Sequence, residues 1–309
     1  MERRLEGARW VLERGAPGYP GAFDRLDDPP ERLYGIGCAD ALAEGLAVVG
    51  ARKATPYGRG CARRFARRAA RRGVVVISGG ARGCDEEAHR AAVEAGAPSV
   101  VFLGGGCDRI YPRENAGLFQ QVIEARGAVV SEHPWEFAPL PYTFRARNRL
   151  IASLARAVLI VEAGLPSGTF STADEALDAG REVLVVPGAI TSANARGSNR
   201  LLFQGARPIV DDESFDDVLF DVFGLLKEPS APDVPDGFAG TRTLRGDPVV
   251  EAIRAAPSTA DELFAVSVDV YGNENARAEL MSTLALAESA GVIARQPDGR
   301  WCARVPPGA

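Results

Sequence analysis

From residue 46 onward the chain alternates two patterns. Short apolar bursts, most of them ending in glycine, are separated by segments whose apolar positions recur every three to four residues. The bursts are LAVVG (from Leu46), VVVISGG (Val74), SVVFLGGG (Ser99), AVVSE (Ala128), AVLIVEAG (Ala157), EVLVVPG (Glu182) and RPIV (Arg207). Runs that are apolar throughout read as strands buried on both faces, and the periodic segments between them read as amphipathic helices. Such alternation predicts an α/β fold: a Rossmann-like, mostly parallel sheet with helices on both faces. In such a sheet the ligand crevice lies outside the carboxyl ends of the strands. The glycines at those ends line one rim and double as turn residues.

The first unit sets the pattern. Leu46 to Val49 is a strand, Gly50-Ala51-Arg52 breaks it, and a Pro56-Tyr57-Gly58 turn leads into a helix. That helix carries small and apolar stripes at Cys61, Phe65, Ala69 and at Ala62, Ala66, Ala70, opposite Arg63, Arg64, Arg67, Arg68, Arg71 and Arg72. No acidic residue falls between Gly50 and Gly73. A strand, a basic loop and a helix N-terminus are how such sheets present backbone N–H groups to phosphate. The six helical arginines read equally as a solvated face or as anion contacts, whereas Arg52 reads as an anion contact.

The remaining organisation follows from breaks in this rhythm. Residues 1–45 form an entry segment packed on the sheet domain, with a short helix expected around Arg3 to Arg14. The sheet domain spans 46–224 and closes on an acidic, exposed helix, DDESFDDVLFD. Residues 225–246, rich in Pro and Gly, read as a linker. Residues 247–309 predict helices over Pro248–Ala255, Thr259–Ala265 and Ala276–Ala290, then a hairpin turning at Asp298-Gly299, which is winged-helix grammar. Cys38, Cys61, Cys84 and Cys107 each follow a glycine at intervals of 23 residues, an echo of the βα repeat.

Composition removes several classes. Five cysteines without a C-x-x-C pair and only two histidines argue against a zinc site or a disulfide scaffold, so no metal is expected. No apolar run is long enough for a membrane span and MERRLEGARW has no secretory pattern, so a cytoplasmic, membrane-free protein is expected. The formal charge of −5 requires any nucleic-acid site to be a local basic groove. No G-x-G-x-x-G with its later acid is present, and neither lysine fits a phosphate-binding P-loop, so no cofactor is expected.

Five motifs in order, VVGARKATPYG, SGGARGCDEEAHRAA, GGGCDRIYPREN, FRARNRLIASLARAVLIVEAGLPSGTFSTADEALDAGREVLVVPG and SNRLLFQGA, resemble the DprA/Smf family of DNA-processing proteins. The resemblance covers about Tyr19 to Val210 and leaves little room for the N-terminal helical domain of many members. It implies a homodimer that binds single-stranded DNA, protects it, and loads the RecA recombinase during natural transformation, with no enzymatic activity. Within the family pattern Arg52, Phe144, Arg147 and Asn148 match positions of the DNA pocket.

The residues support a strand-binding reading beside that resemblance. Tyr142 to Arg156 holds Arg145, Arg147, Arg149 and Arg156 without an acid, behind Tyr142 and Phe144. Arginines for the backbone and an aromatic face for a base are the components of a single-strand site. A helix start at Asn148 would add backbone donors. The alternatives are that Phe144 is a core plug and Asn148 a helix cap. The candidate DNA-binding set is Gly50, Arg52, Lys53, Gly79, Gly80, Gly104, Gly106, Phe144, Arg145, Arg147, Asn148, Arg149, Ser167, Gly168 and Thr169. Arg52 and Arg147 are expected to share one concavity. With about four phosphates neutralised, a fourfold rise in salt is expected to weaken binding about 50-fold. Asp108 is expected to orient Arg109 or a backbone amide.

The competing reading is a Lonely Guy-like nucleotide hydrolase. Its motif needs a glutamate three positions after the threonine of the loop, where this chain has Thr172. The C-terminal module carries nine acids against five bases, which favours a protein-docking role over DNA reading.

Overall fold

The computed structural model describes residues 4–165, 167–226, 246–272 and 276–304. The expected linker lies almost wholly outside the described residues. Nine strands form one sheet: β1 (Arg9–Glu13), β2 (Arg32–Gly37), β3 (Gly45–Val49), β4 (Val76–Ser78), β5 (Ser99–Phe102), β6 (Ala128–Ser131), β7 (Ala155–Ile160), β8 (Glu182–Val185) and β9 (Arg207–Pro208). Their order is β1-β2-β6-β5-β4-β3-β7-β8-β9. From β6 through β9 every neighbouring pair is parallel, while β1 and β2 add an antiparallel edge. The order reverses between β3 and β7, and that reversal is the topological switch point beside which such sheets bind ligands.

Connecting helices are α1 (Pro56–Arg71), α2 (Cys84–Glu94), α3 (Ala116–Glu124), α4 (Pro141–Leu154), α5 (Thr169–Asp178) and α6 (Arg196–Phe203), followed by α7 (Asp212–Phe223). Strand residues alternate between two cores. Ala47 and Val49 of β3 join α4, α5 and α6 through Leu150, Ile151, Ala173 and Leu201. Leu46 and Val48 join α1, α2 and α7 through Phe65, Ala88 and Phe215. Both faces are therefore covered, which is why the strands are apolar throughout. The α1 stripes hold residue for residue: Cys61, Ala62, Phe65, Ala66, Ala69 and Ala70 are all buried.

Two expectations need correcting. The N-terminal segment is not helical where it is described: Arg9–Glu13 is an edge strand whose exposure alternates along its length. Trp10 lies over Gly35 of β2, where any side chain would collide with the indole, and its Nε1 donates to the Gly37 carbonyl at 3.1 Å. The acidic α7 is not simply exposed either: Phe215, Val218 and Leu219 are in the core and Asp216 is buried against α1.

The C-terminal residues form α8 (Pro248–Ala255), α9 (Ala260–Tyr271) and α10 (Ala276–Ser289), then an antiparallel pair, β10 (Ile293–Arg295) and β11 (Trp301–Ala303). They share their own core of Val249, Val250, Ile253, Leu263, Leu280 and Leu284. Helix α9 runs a turn and a half beyond the expected Ala265 and is held at its start by a Thr259–Glu262 capping box. Among the described residues no helix is long and apolar enough to cross a membrane.

Candidate functional site

At the carboxyl ends of β3, β4, β5 and β7 the rim opens into two adjoining chambers of about 480 and 170 Å³. Both are lined by Arg52, Lys53, Ala81, Phe144 and Arg147. The larger continues to Arg145, Asn148 and the Ser167–Thr169 loop; the smaller ends at Arg82 and Tyr111. Arg52 and Arg147 therefore do line a shared concavity.

Phe144 is half-buried and stands at the centre of this trough. Its ring lies 5.3 Å from that of Tyr111, tilted by 59°, and the Arg52 guanidinium sits 5.7 Å from its centroid. A Cβ on Gly104 would come within 2.8 Å of the Phe144 ring, so this glycine is the seat on which the aromatic rests. Arg52, Lys53 and Arg145 are exposed. Among the described residues none of the three has a carboxylate within ion-pair distance. Arg82 also reaches the trough, although it is paired with Glu114. Neither Arg82 nor Tyr111 is in the expected set; each follows a glycine-ended strand on the same rim, which is the signal that would have found them.

Helix α4 begins at Pro141, so Asn148 is two turns inside it and neither caps nor starts a helix. Its Nδ2 donates to Ser171 Oγ at 3.2 Å, tying α4 to α5. Arg147 faces inward. It is 5% exposed, and its Nη1 donates to the Gly79 carbonyl at 2.8 Å and to the Phe102 carbonyl. Burial, joined by the neighbouring Arg52 charge, brings its guanidinium down to about 10 against the pull of Asp85. Asp85, also buried, accepts from the Gly79 and Ala81 amides at 3.2 and 3.3 Å. Burial pushes that carboxyl upward against the Arg147 charge and these donors.

Several expected residues serve elsewhere. Arg149 points to the other side of α4, where Glu132 holds both Nη atoms at 2.6–2.8 Å. Gly50 lines the larger chamber but is required by packing, because a Cβ would meet Cys84 Sγ at 2.6 Å. Gly80, with φ of +67°, makes room for Phe119, and Gly106 for the backbone of Pro134 and Trp135. Gly79 gives way to the Arg147 guanidinium. Ser167, Gly168 and Thr169 do line the trough; Ser167 Oγ accepts from the Thr169 amide at 3.1 Å, and the Gly168 position opens onto empty space. Among the described residues Asp108 is not bonded to Arg109 or to an amide; it takes the Arg9 guanidinium at 2.7 Å.

The start of α1 does not await an anion either. Thr55 caps it, and the buried Glu162 carboxylate accepts from the Thr55 amide at 2.9 Å and from its hydroxyl at 2.5 Å. Burial raises this carboxyl, opposed by the Thr55 donors. The α1 arginines are taken up by acids of neighbouring helices. Arg63 and Arg67 meet Glu94, Arg64 meets Asp212, and Arg68 and Arg72 meet Asp216.

Residues 10–221 match the family model described as DNA recombination-mediator protein A. The chain belongs to that family. Escherichia coli Smf is 37% identical over 205 residues, 65% of this chain, and the match spans only 52% of that protein's length. DprA of Streptococcus pneumoniae superposes with a TM-score of 0.63 at 31% identity, covering 69% of this chain and 74% of that one. Helicobacter pylori DprA, whose structure was described for its single-stranded DNA binding mode, superposes with a TM-score of 0.64 at 32% identity. That likeness covers 71% of this chain and all of the other.

Proposed function

We propose that this family member binds single-stranded DNA in the trough and acts as a recombination mediator in the cytoplasm, delivering the strand to a RecA-type recombinase. One observation carries the reading: an aromatic pair, Phe144 and Tyr111, stands among three exposed cations that no carboxylate neutralises among the described residues. An unpaired strand offers base faces to such rings and phosphates to such cations, whereas a duplex keeps its base faces stacked. The H. pylori relative's single-stranded DNA binding supports the same assignment.

A hydrolytic reading has less behind it. Asp85 is the only carboxylate among the described trough-lining residues and is engaged by two amides, so among them no carboxylate is offered to a nucleotide as general acid or base. Thr172 stands where that chemistry places its glutamate. We read the protein as a binder rather than an enzyme.

Homodimerisation is part of the proposal. Phe203 at the end of α6 and Val210 after β9 are 82% and 67% exposed, apolar area suited to a second copy. The C-terminal helices and hairpin are read as a winged-helix module that meets protein, in keeping with their acidic surface.

The test is anisotropy titration of the full chain with oligo-dT at two salt concentrations. With Arg147 engaged internally, three cations remain, and a fourfold rise in salt should weaken binding about 20-fold at a slope of ~0.7 per phosphate. Absent or salt-independent binding sinks the reading, as would release of free base from AMP.

A further inference from the structure

Resting on the strand-binding reading, we propose that Arg147 and Asp85 are positioning residues: a buried brace that sets the loop after β4 and the aromatic on α4, without touching the strand. Four segments converge on them. Arg147, from α4, closes on the carbonyls of Gly79 and Phe102, at the ends of β4 and β5. Asp85, from the first turn of α2, gathers the amides of Gly79 and Ala81. The loop so fixed is the one that brings Ala81 and Arg82 to the trough.

The packing is specific to this arrangement. A Cβ at Gly79 would stand 2.5–2.7 Å from the guanidinium, so a glycine is the only residue that lets the arginine reach both carbonyls. Phe144 lies three residues before Arg147, on the same face of α4. Anchoring Arg147 therefore also fixes where the ring stands against Arg52 and Tyr111. The Arg147 Nε is buried with no hydrogen-bond partner among the described residues, an unsatisfied donor with a real desolvation cost. A group bound this way cannot leave its carbonyls for a phosphate without uncovering them. Arg52, in contrast, is exposed, with its guanidinium over the Phe144 ring and no carboxylate partner among the described residues.

Salt dependence separates the two roles, because the slope of affinity against salt counts phosphate contacts. Oligo-dT affinity is measured at several salt concentrations for wild type, Arg52→Gln, Arg147→Gln and Gly79→Ala, at a temperature where circular dichroism shows each to be folded. Arg52→Gln should reduce the slope by ~0.7. Arg147→Gln should weaken binding roughly tenfold with the slope unchanged. Gly79→Ala, which removes no charge, should weaken binding to a similar extent.

A slope loss in Arg147→Gln equal to that of Arg52→Gln would make Arg147 a phosphate ligand and overturn the brace. Folded Arg147→Gln or Gly79→Ala variants that bind as tightly as wild type would leave the pair a merely structural role, with the same result. Should these variants not fold, hydrogen exchange decides: the Gly79 and Ala81 amides should be protected in wild type and released in Asp85→Ala, which removes their acceptor, and rapid exchange in wild type refutes the brace. If wild type itself ignores oligo-dT, the strand-binding reading fails, while exchange still reports on the brace.

Discussion

Helix α1 and the trough rim are both rich in cations, and they use them in opposite ways. Between Arg63 and Arg72 the helix presents six arginines, the densest positive run in the chain. Glu94, Asp212 and Asp216 take up five of them; Asp216 meets both Arg68 and Arg72, and Asp212 both Arg64 and Arg68. The rim offers Arg52, Lys53 and Arg145, without a carboxylate partner among the described residues, to solvent beside an aromatic face. Charge density along a sequence thus says little about field at a surface. What matters is whether the fold returns a carboxylate to each cation.

The interior adds a third environment and the steepest expected effect. His89 is fully buried, with Nδ1 against Ser99 Oγ at 2.8 Å, and burial, aided by the nearby Arg147 charge, brings it down to about 3 from 6.5. Its folded value lies below its unfolded one, so the unfolded chain takes up the extra proton as pH falls. Its contribution is complete above about pH 6.5 and is lost progressively toward pH 3. Urea unfolding across that window should show this loss, and His89→Gln should reduce its steepness; identical profiles would remove His89 as the cause.

On the α1 side, Asp216→Ala should cost about 3 kcal/mol of stability, because two arginines lose a shared, buried partner. It should leave oligo-dT affinity unchanged in the folded protein, and any matching loss of affinity would erase the contrast between helix and rim. On the rim, Arg52→Glu should reverse the pattern, with stability near wild type and affinity down on the order of a hundredfold, about 2.7 kcal/mol. Phe144→Ala is expected to weaken binding by roughly tenfold, within the range of one lost base stack, with the salt response retained. A changed salt slope in that variant would mean that the ring holds Arg52 in place rather than meeting a base.

Much of the fold was legible because buried parallel strands and the α1 stripe obey simple periodicities. The antiparallel edge was not, since β1 and β2 are short and mixed, and their pairing, from Arg9 opposite Ile36 to Glu13 opposite Arg32 with Trp10 packed over Gly35, joins segments that carry no hairpin signal between them. The site was legible in its types but not in its directions. Arg145, Arg147 and Arg149 look interchangeable in the string RARNR. At 100° per residue, Arg147 points away from Arg145 and Arg149, which lie one turn apart on the same side of the helix. Arg147 consequently faces the interior, and what separates the other two is the partner that the fold brings to one of them: Arg145 faces solvent and Arg149 meets Glu132. Starting α4 at Pro141 rather than Asn148 would have exposed that difference. The partners of the α1 arginines were beyond reach, since Asp212 and Asp216 lie 144 and 148 positions from the arginines they meet.

Glu162 carries a consequence of its own. By seating a side chain of the protein where α1 begins, the chain supplies its own anion at the switch point, against backbone donors that would otherwise attract one. A phosphate arriving there would meet a berth already filled by Glu162, so strand binding, as proposed, has to rest on the neighbouring rim and not on the helix start that sheets of this design usually offer to nucleotides.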